Sequence, residues 1–288
     1  MIRVYAQTDV GRVRRGNEDN FLVGETTSEK IDRLPGVEEF SSTERGLVLM
    51  VSDGMGGAAA GEVASRLAVQ VTREEMRFEH APEETEFRER LEEALQEANR
   101  IIAEEARRNP GMRGMGATAT TAGILRNKVF IGQVGDSRAY LLRGNDMQQL
   151  TRDQSFVNQL VEAGKITEEE AEVHPRRNVI LQALGNQARL NVVMTTYQAL
   201  EGDYLLLCSD GLSGLVKKEE MARIIHASGN IQEACQQMIA LANNRGGHDN
   251  ITVILAHFIG AEFRSSESDE TVELLNIDSE IYPPLLEG

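Results

Sequence analysis

The chain has 288 residues and a formal net charge of −16, long enough to bury a sizeable core in one large domain and too acidic to suggest a nucleic-acid partner. Two cysteines in apolar settings give no disulfide framework. No apolar stretch reaches membrane-spanning length and MIRVYAQTDVG lacks a charged-then-apolar signal, so a cytoplasmic protein with no membrane partner is expected.

In chain order, residues 2–8 and 20–24 predict strands. Residues 25–46 are polar, contain Pro35, and predict a surface insertion between two strands. Helical periodicity runs over 61–80 and 83–108; the Glu/Arg pairs of the second form a solvated face. Strands follow at about 117–125, 128–134, 137–143 and 147–150. The stretch SFVNQLVEAGKITEEEAEVHP (155–175) predicts two short helices around Gly164. Strands near 191–198 and 203–209, helices near 217–227 and 230–244, and a strand at 250–258 complete a domain of 1–259. Alone, this pattern gives an α+β fold. Residues 261–288 hold eight acidic residues and one Arg among scattered apolar positions, so 260–288 is expected to be a disordered acidic tail, with a short docking or autoinhibitory element as the alternative.

Several acidic patches sit where apolar runs stop. LVLMVS precedes Asp53, YLLLCS precedes Asp210, VFIGQVG precedes Asp136, and ITVILAHF follows Asp249. Such runs predict buried strands, and Asp-Gly at a strand end is turn chemistry that places a carboxylate at the rim. One such Asp is usually a turn former; several suggest a shared edge. Two carboxylates about 4 Å apart repel by roughly 4 kcal/mol at an effective dielectric of 20, so an uncompensated cluster would drive some to protonate. The carboxylates of Glu18, Asp53, Asp210 and Asp249 would balance two divalent ions. An all-oxygen donor set without a zinc-spaced His/Cys cluster favours Mg²⁺ or Mn²⁺, and paired ions of this kind activate water against phosphoryl groups.

GRVRRGNEDN, VSDGMGG, GMGATAT, VGDSRAYLLR, LTRDQSF, HPRRN, LLLCSDGLS and GGHDNITV occur in the order found in bacterial metal-dependent Ser/Thr protein phosphatases, the type 2C (PPM) family. The chain resembles that family from about residue 3 to 258. The resemblance implies a four-layer αββα sandwich, with two antiparallel sheets face to face and helix pairs outside. It implies that Glu18 ligates one ion, that Asp53 bridges both with the Gly54 carbonyl also coordinating, and that Asp210 and Asp249 ligate the other. Asp19 would act through bound water, and Asp136 would help hold a third metal. Arg14 would bind the substrate phosphate, a task suited to a planar guanidinium. The region about 151–185 would be a flap beside the site that filters substrates.

The implied activity is hydrolysis of phosphoserine and phosphothreonine in proteins, opposing a Ser/Thr kinase. Many eukaryotic relatives carry His after the Asp-Gly pair as the proposed acid; Met55 stands there, which leaves water at the metal centre as the expected proton donor. Two alternatives stay open: a catalytically silent scaffold of the same fold, and a two-metal esterase for small phosphate esters. Cysteine-phosphatase chemistry is excluded because no Arg stands six positions after Cys208 or Cys235, and no DxDx[TV] appears. GMRGMGAT has Ala where a phosphate loop needs Lys and is expected instead to let two backbones approach closely. His248 is expected to have a loop-packing or solvent role and His174 to shape a loop, and the Asn250-Ile-Thr252 sequon to be inert.

Overall fold

The structure, a computed structural model, describes residues 1–27, 36–40 and 44–264. Half of the expected insertion (28–35 and 41–43) and the expected tail from 265 onward lie outside the described residues. The strands are β1 (Ile2–Asp9), β2 (Asp19–Glu25), β3 (Glu38–Phe40), β4 (Leu47–Met55), β5 (Gly116–Ala117), β6 (Ala119–Leu125), β7 (Lys128–Val134), β8 (Arg138–Arg143), β9 (Asp146–Gln149), β10 (Val193–Gln198), β11 (Tyr204–Cys208) and β12 (Ile251–Phe258). The helices are α1 (Ala58–Glu75), α2 (Glu84–Arg108), α3 (Phe156–Glu162), α4 (Glu168–Glu172), α5 (Asp210–Ser213), α6 (Lys218–Ala227) and α7 (Ile231–Asn244).

Continuous apolar runs become central strands because both faces of each sheet are covered. One sheet has the order β3-β1-β12-β11-β8-β9; the other has β10-β7-β6-β4-β2, with β5 paired to β4. All the named pairings are antiparallel. The period-two alternation of strands sorts side chains between layers. Ile254 and Ala256 of β12 join Leu49, Val51 and Ile131 between the sheets. Val253 and Leu255 face Cys235 and Met238 of α7 instead. On the opposite outer face, Met50 of β4 and Phe130 of β7 pack with Ala64 and Ala68 of α1 and Phe87 and Leu91 of α2. Three apolar layers between four layers of elements make the αββα sandwich.

The departures from expectation have local causes. β3 lies inside the expected insertion and pairs Phe40 with Ile2 on the edge of β1; Glu-Glu-Phe carries no periodicity, and the strand is set by its neighbour. Helix α1 ends at Glu75 rather than 80, because the chain turns back so that Phe78 N–H reaches the Thr26 carbonyl at 3.0 Å. Packing also continues past the expected boundary at 260: Phe263 is 1% exposed and meets Phe258 edge-on at 5.2 Å. Among the described residues no helix is long and apolar enough to cross a membrane.

Candidate metal centre

Strand ends from both sheets meet at one edge, and hydrogen bonds lace them together. Asp19 opens β2 and is paired in register with Asp53 of β4. Its Oδ2 accepts from Ser209 Oγ at 2.8 Å and Thr252 Oγ1 at 2.6 Å, both on the other sheet's side of the edge. Asp19 thus spans the sandwich. Asp53 is fixed through its backbone: its N–H donates to Thr118 Oγ1 at 2.9 Å and its carbonyl accepts Thr118 N–H at 2.8 Å. Asp210 begins α5 directly after β11, and Asp249 precedes β12. Asp136 sits in the turn where the chain passes from β7 in one sheet to β8 in the other.

The β1–β2 loop carries Arg14 and Glu18, and Asn250 staples it to the edge. The Asn250 side chain accepts Glu18 N–H at 2.8 Å and donates to the carbonyls of Val10 and Gly16 at 2.9 Å each. With its amide fully engaged and 3% exposed, Asn250 is a structural clamp rather than a sequon. Arg14 Nη2 bonds Asp249 Oδ2 at 2.7 Å.

Two glycines let α1 seat against the end of β4. A Cβ on Gly54 would lie 2.0 Å from the Gly61 carbonyl oxygen, and a Cβ on Gly61 would lie 2.0 Å from Glu18 Oε2 and 2.8 Å from the Gly54 carbonyl oxygen. The Glu18 carboxylate and the Gly54 carbonyl therefore flank one point beside the first turn of α1. Gly61, Asn250, Thr118, Ser209 and Thr252 carry this architecture; all but Gly61 lie inside the sequence motifs, yet none of them stands out there as a metal-site residue.

Clustered burial sets the electrostatics. Burial pushes the Asp53 carboxyl well above the ordinary range, and Asp19, Asp210, Asp136 and Asp249 add to the rise. Asp136 is raised by burial and then by Asp210. Asp210 is raised by burial and by Asp249, against a hydrogen bond with Asp53 that acts the other way. Burial raises Asp19 to about 7 despite its bonds from Thr252 and Ser209. Glu18 rises through burial, opposed by Arg14. The half-buried Arg138, which acts on Asp136 in the opposite sense, is committed to Asp153 through Nη2–Oδ2 at 2.6 Å.

Cation binding fits this arrangement. Asp19 Oδ1, Asp136 Oδ1 and Asp210 Oδ1 are buried without a hydrogen-bond partner, an arrangement that is costly for carboxylates unless a positive charge satisfies them. Every candidate donor is oxygen, which suits Mg²⁺ or Mn²⁺. The side chains ring the edge without closing on one point: among the described residues no three acidic, His or Cys side chains form a closed ligand group.

Residues outside the edge play other parts. Burial pushes the Cys208 thiol up to about 12 and also raises Cys235, so neither is a nucleophile. In GMRGMGAT, a Cβ on Gly116 would meet the Leu184 carbonyl oxygen at 2.9 Å, a close approach of two backbones. His248 is exposed. His174 Nδ1 accepts Arg176 N–H at 3.1 Å, and its ring lies 6.0 Å from Phe156, which shapes the loop after α4. A groove of about 930 Å³ between α2 and residues 185–188 includes none of the carboxylates at the edge.

Comparison with known proteins agrees with the geometry. The family described as Protein phosphatase 2C matches residues 36–244. The serine/threonine phosphatase stp of Listeria innocua is 38% identical over 252 residues, covering 86% of this chain and 93% of that protein. The S. agalactiae serine/threonine phosphatase superposes with a TM-score of 0.79 at 31% identity, over 90% of this chain and 100% of the other. The catalytic domain of the serine/threonine protein phosphatase PstP, solved in complex with two manganese ions, gives a TM-score of 0.74 at 33% identity, over 90% and 99%. Sequence likeness and shared architecture extend over the same nearly complete length, and on that ground the chain belongs to the protein phosphatase 2C family.

Proposed function

We propose that Glu18, Asp53, the Gly54 carbonyl, Asp210 and Asp249 hold two Mg²⁺ or Mn²⁺ ions, that Asp136 contributes to a third and Asp19 acts through water, and that Arg14 binds substrate phosphate. The chain is a metal-dependent Ser/Thr protein phosphatase acting on phosphorylated proteins. The observation that carries the residue assignment is the set of buried, unpartnered carboxylate oxygens on Asp19, Asp136 and Asp210.

Two divalent ions held by these residues would supply the missing positive charge and lower the pKa of a water that could attack phosphorus. The chain's own residues do the positioning. Asp19 holds the two sheets together so that Asp53 and Asp249 share an edge. Asn250 and Gly61 set the placement of Glu18. The Arg14 guanidinium has five N–H donors, of which Asp249 takes one; the others can meet two phosphate oxygens in parallel and neutralise charge that builds on them. Met55 has no proton to give, so the leaving oxygen takes its proton from water in the site. We assign the protein to the cytoplasm, opposing a Ser/Thr kinase, with residues 1–259 and the packed extension to Arg264 as the catalytic domain and 151–185 as its flap.

The deciding experiment is hydrolysis of a phosphothreonine peptide with Mn²⁺ titrated in from a chelated start. Activity that appears only with metal, and is lost in a folded Asp53→Ala variant, is expected. A fully active Asp53→Ala protein would overturn the residue assignment; a folded wild type inactive at every metal concentration would overturn the catalytic reading.

A further inference from the structure

In this strongly acidic chain, exposed apolar side chains and unpaired arginines occur together on two loops. Of the large hydrophobic side chains exposed among the described residues, Val10 (37%) and Val13 (62%) lie on the β1–β2 loop and Val173 (77%) and Val179 (42%) on the loop after α4; only Val37 lies elsewhere. Arg12 and Arg15 flank Val13, and Arg177 lies between Val173 and Val179; all three are exposed. None of them has an acidic partner among the described residues, whereas Arg14 between them is paired with Asp249.

Both loops border the catalytic edge. Arg12 N–H donates to the Gly247 carbonyl at 2.8 Å, just before Asp249. On the Asp210 side, Glu172 at the end of α4 pairs with Lys217 Nζ at 2.8 Å, and Lys217 follows α5 closely in sequence. Arg245 connects the two flanks by bonding the Leu215 carbonyl and Glu220, each at 2.7 Å. Isolated exposed valines need no explanation. Four of the five exposed valines fall on two loops, each beside unpaired cations and each bordering the catalytic edge, and form a surface of definite chemistry.

We propose that these two loops dock the residues flanking the phosphorylated side chain, and that they select phosphosites with acidic and aliphatic neighbours. The inference rests on the phosphatase reading above. Charge complementarity identifies the occupant: unpaired arginines on both flanks attract carboxylates, and the valines offer apolar contact to aliphatic neighbours. The phosphate itself goes to Arg14, on the β1–β2 loop between Arg12 and Arg15.

The test compares full-length enzyme on three substrates: a phosphothreonine peptide flanked by Glu and Leu, the same peptide with Lys for Glu, and p-nitrophenyl phosphate. The small ester has no flanks and reports the phosphatase reading alone. Each exposed charge pair contributes modestly, so kcat/KM is expected to favour the acidic peptide by on the order of tenfold at low salt, and the preference should shrink as salt rises. The triple variant Arg12→Glu, Arg15→Glu, Arg177→Glu should abolish or invert the ratio. Equal kcat/KM for the two peptides, or a ratio that survives the triple reversal, would overturn the proposal while ester hydrolysis keeps the phosphatase reading. If the triple variant instead gains activity on both peptides equally, substrate docking on these loops is overturned. Loss of ester hydrolysis in the wild type would sink the phosphatase reading itself.

Discussion

Replacing Asn250 by Ala tests how the Arg14–Glu18 loop is held. The side chain makes three hydrogen bonds, to Glu18 N–H and to the carbonyls of Val10 and Gly16. Val10 and Gly16 are exposed, so water can replace the two carbonyl bonds, each then costing no more than about 0.5 kcal/mol. The half-buried Glu18 N–H is left without its partner, at roughly 1–3 kcal/mol. The sum is about 1–4 kcal/mol, or roughly 2–12 °C in Tm for a chain of this size. Because the loop carries Arg14 and Glu18, the Mn²⁺ concentration for half-maximal activity should rise as well. Thermal unfolding in chelator, followed by a Mn²⁺ titration, reads both. Asn250→Asp sharpens the test: it keeps an acceptor for Glu18 N–H but turns a carboxylate oxygen toward two carbonyl oxygens, and should be worse than Ala without metal. An Asn250→Ala protein that melts within a degree of wild type and needs no more Mn²⁺ would refute the clamp.

Gly61→Ala should separate stability from metal binding. The helix gains about 1 kcal/mol of propensity, set against about 1–3 kcal/mol of overpacking on the Gly54 carbonyl, so stability falls by no more than about 2 kcal/mol. The new Cβ displaces the Glu18 carboxylate, so calorimetry should show weaker Mn²⁺ binding; unchanged affinity would remove Glu18 from the ligand set. The metal-free protein should lose stability as pH rises. Asp19, Asp53, Asp136 and Asp210 are all held above the ordinary carboxylate range, burial being the first cause. The folded state therefore keeps protons that the unfolded chain has released, and the stability this gives is lost as pH passes the folded values, about 7 for Asp19. Urea midpoints in chelator should fall between about pH 5 and 8, and Mn²⁺ should reverse that slope because it displaces the protons; a metal-free midpoint that rises with pH contradicts the cluster. Arg14→Ala should raise KM for a phosphopeptide more than it lowers kcat, because the contact exists in the ground and transition states alike; an unchanged KM would reduce Arg14 to a partner for Asp249.

What the sequence could and could not disclose follows from how the edge is assembled. Asp53 and Asp210 were legible because each ends an apolar run, and a buried strand must deliver its last residue to a rim. Which rims coincide is a matter of long-range packing. Asp19 shows this: its two hydroxyl partners, Ser209 and Thr252, are distant in sequence and belong to the other sheet's strands. Gly61 sits at the start of a helix rich in small residues, and nothing local marks it; its necessity comes from the Gly54 carbonyl and the Glu18 carboxylate, which reach it from another strand and another loop. In the sequence Asn250 reads only as part of an inert sequon, and its part in holding the edge comes from an amide bound to three backbone groups. Chemistry-bearing carboxylates announce themselves through local contrast with the apolar runs they end, while the groups that fix their spacing are polar or small residues whose partners come from elsewhere in the chain. A substitution that spares every carboxylate can therefore still disable the centre by letting the two sheets' edges shift relative to each other.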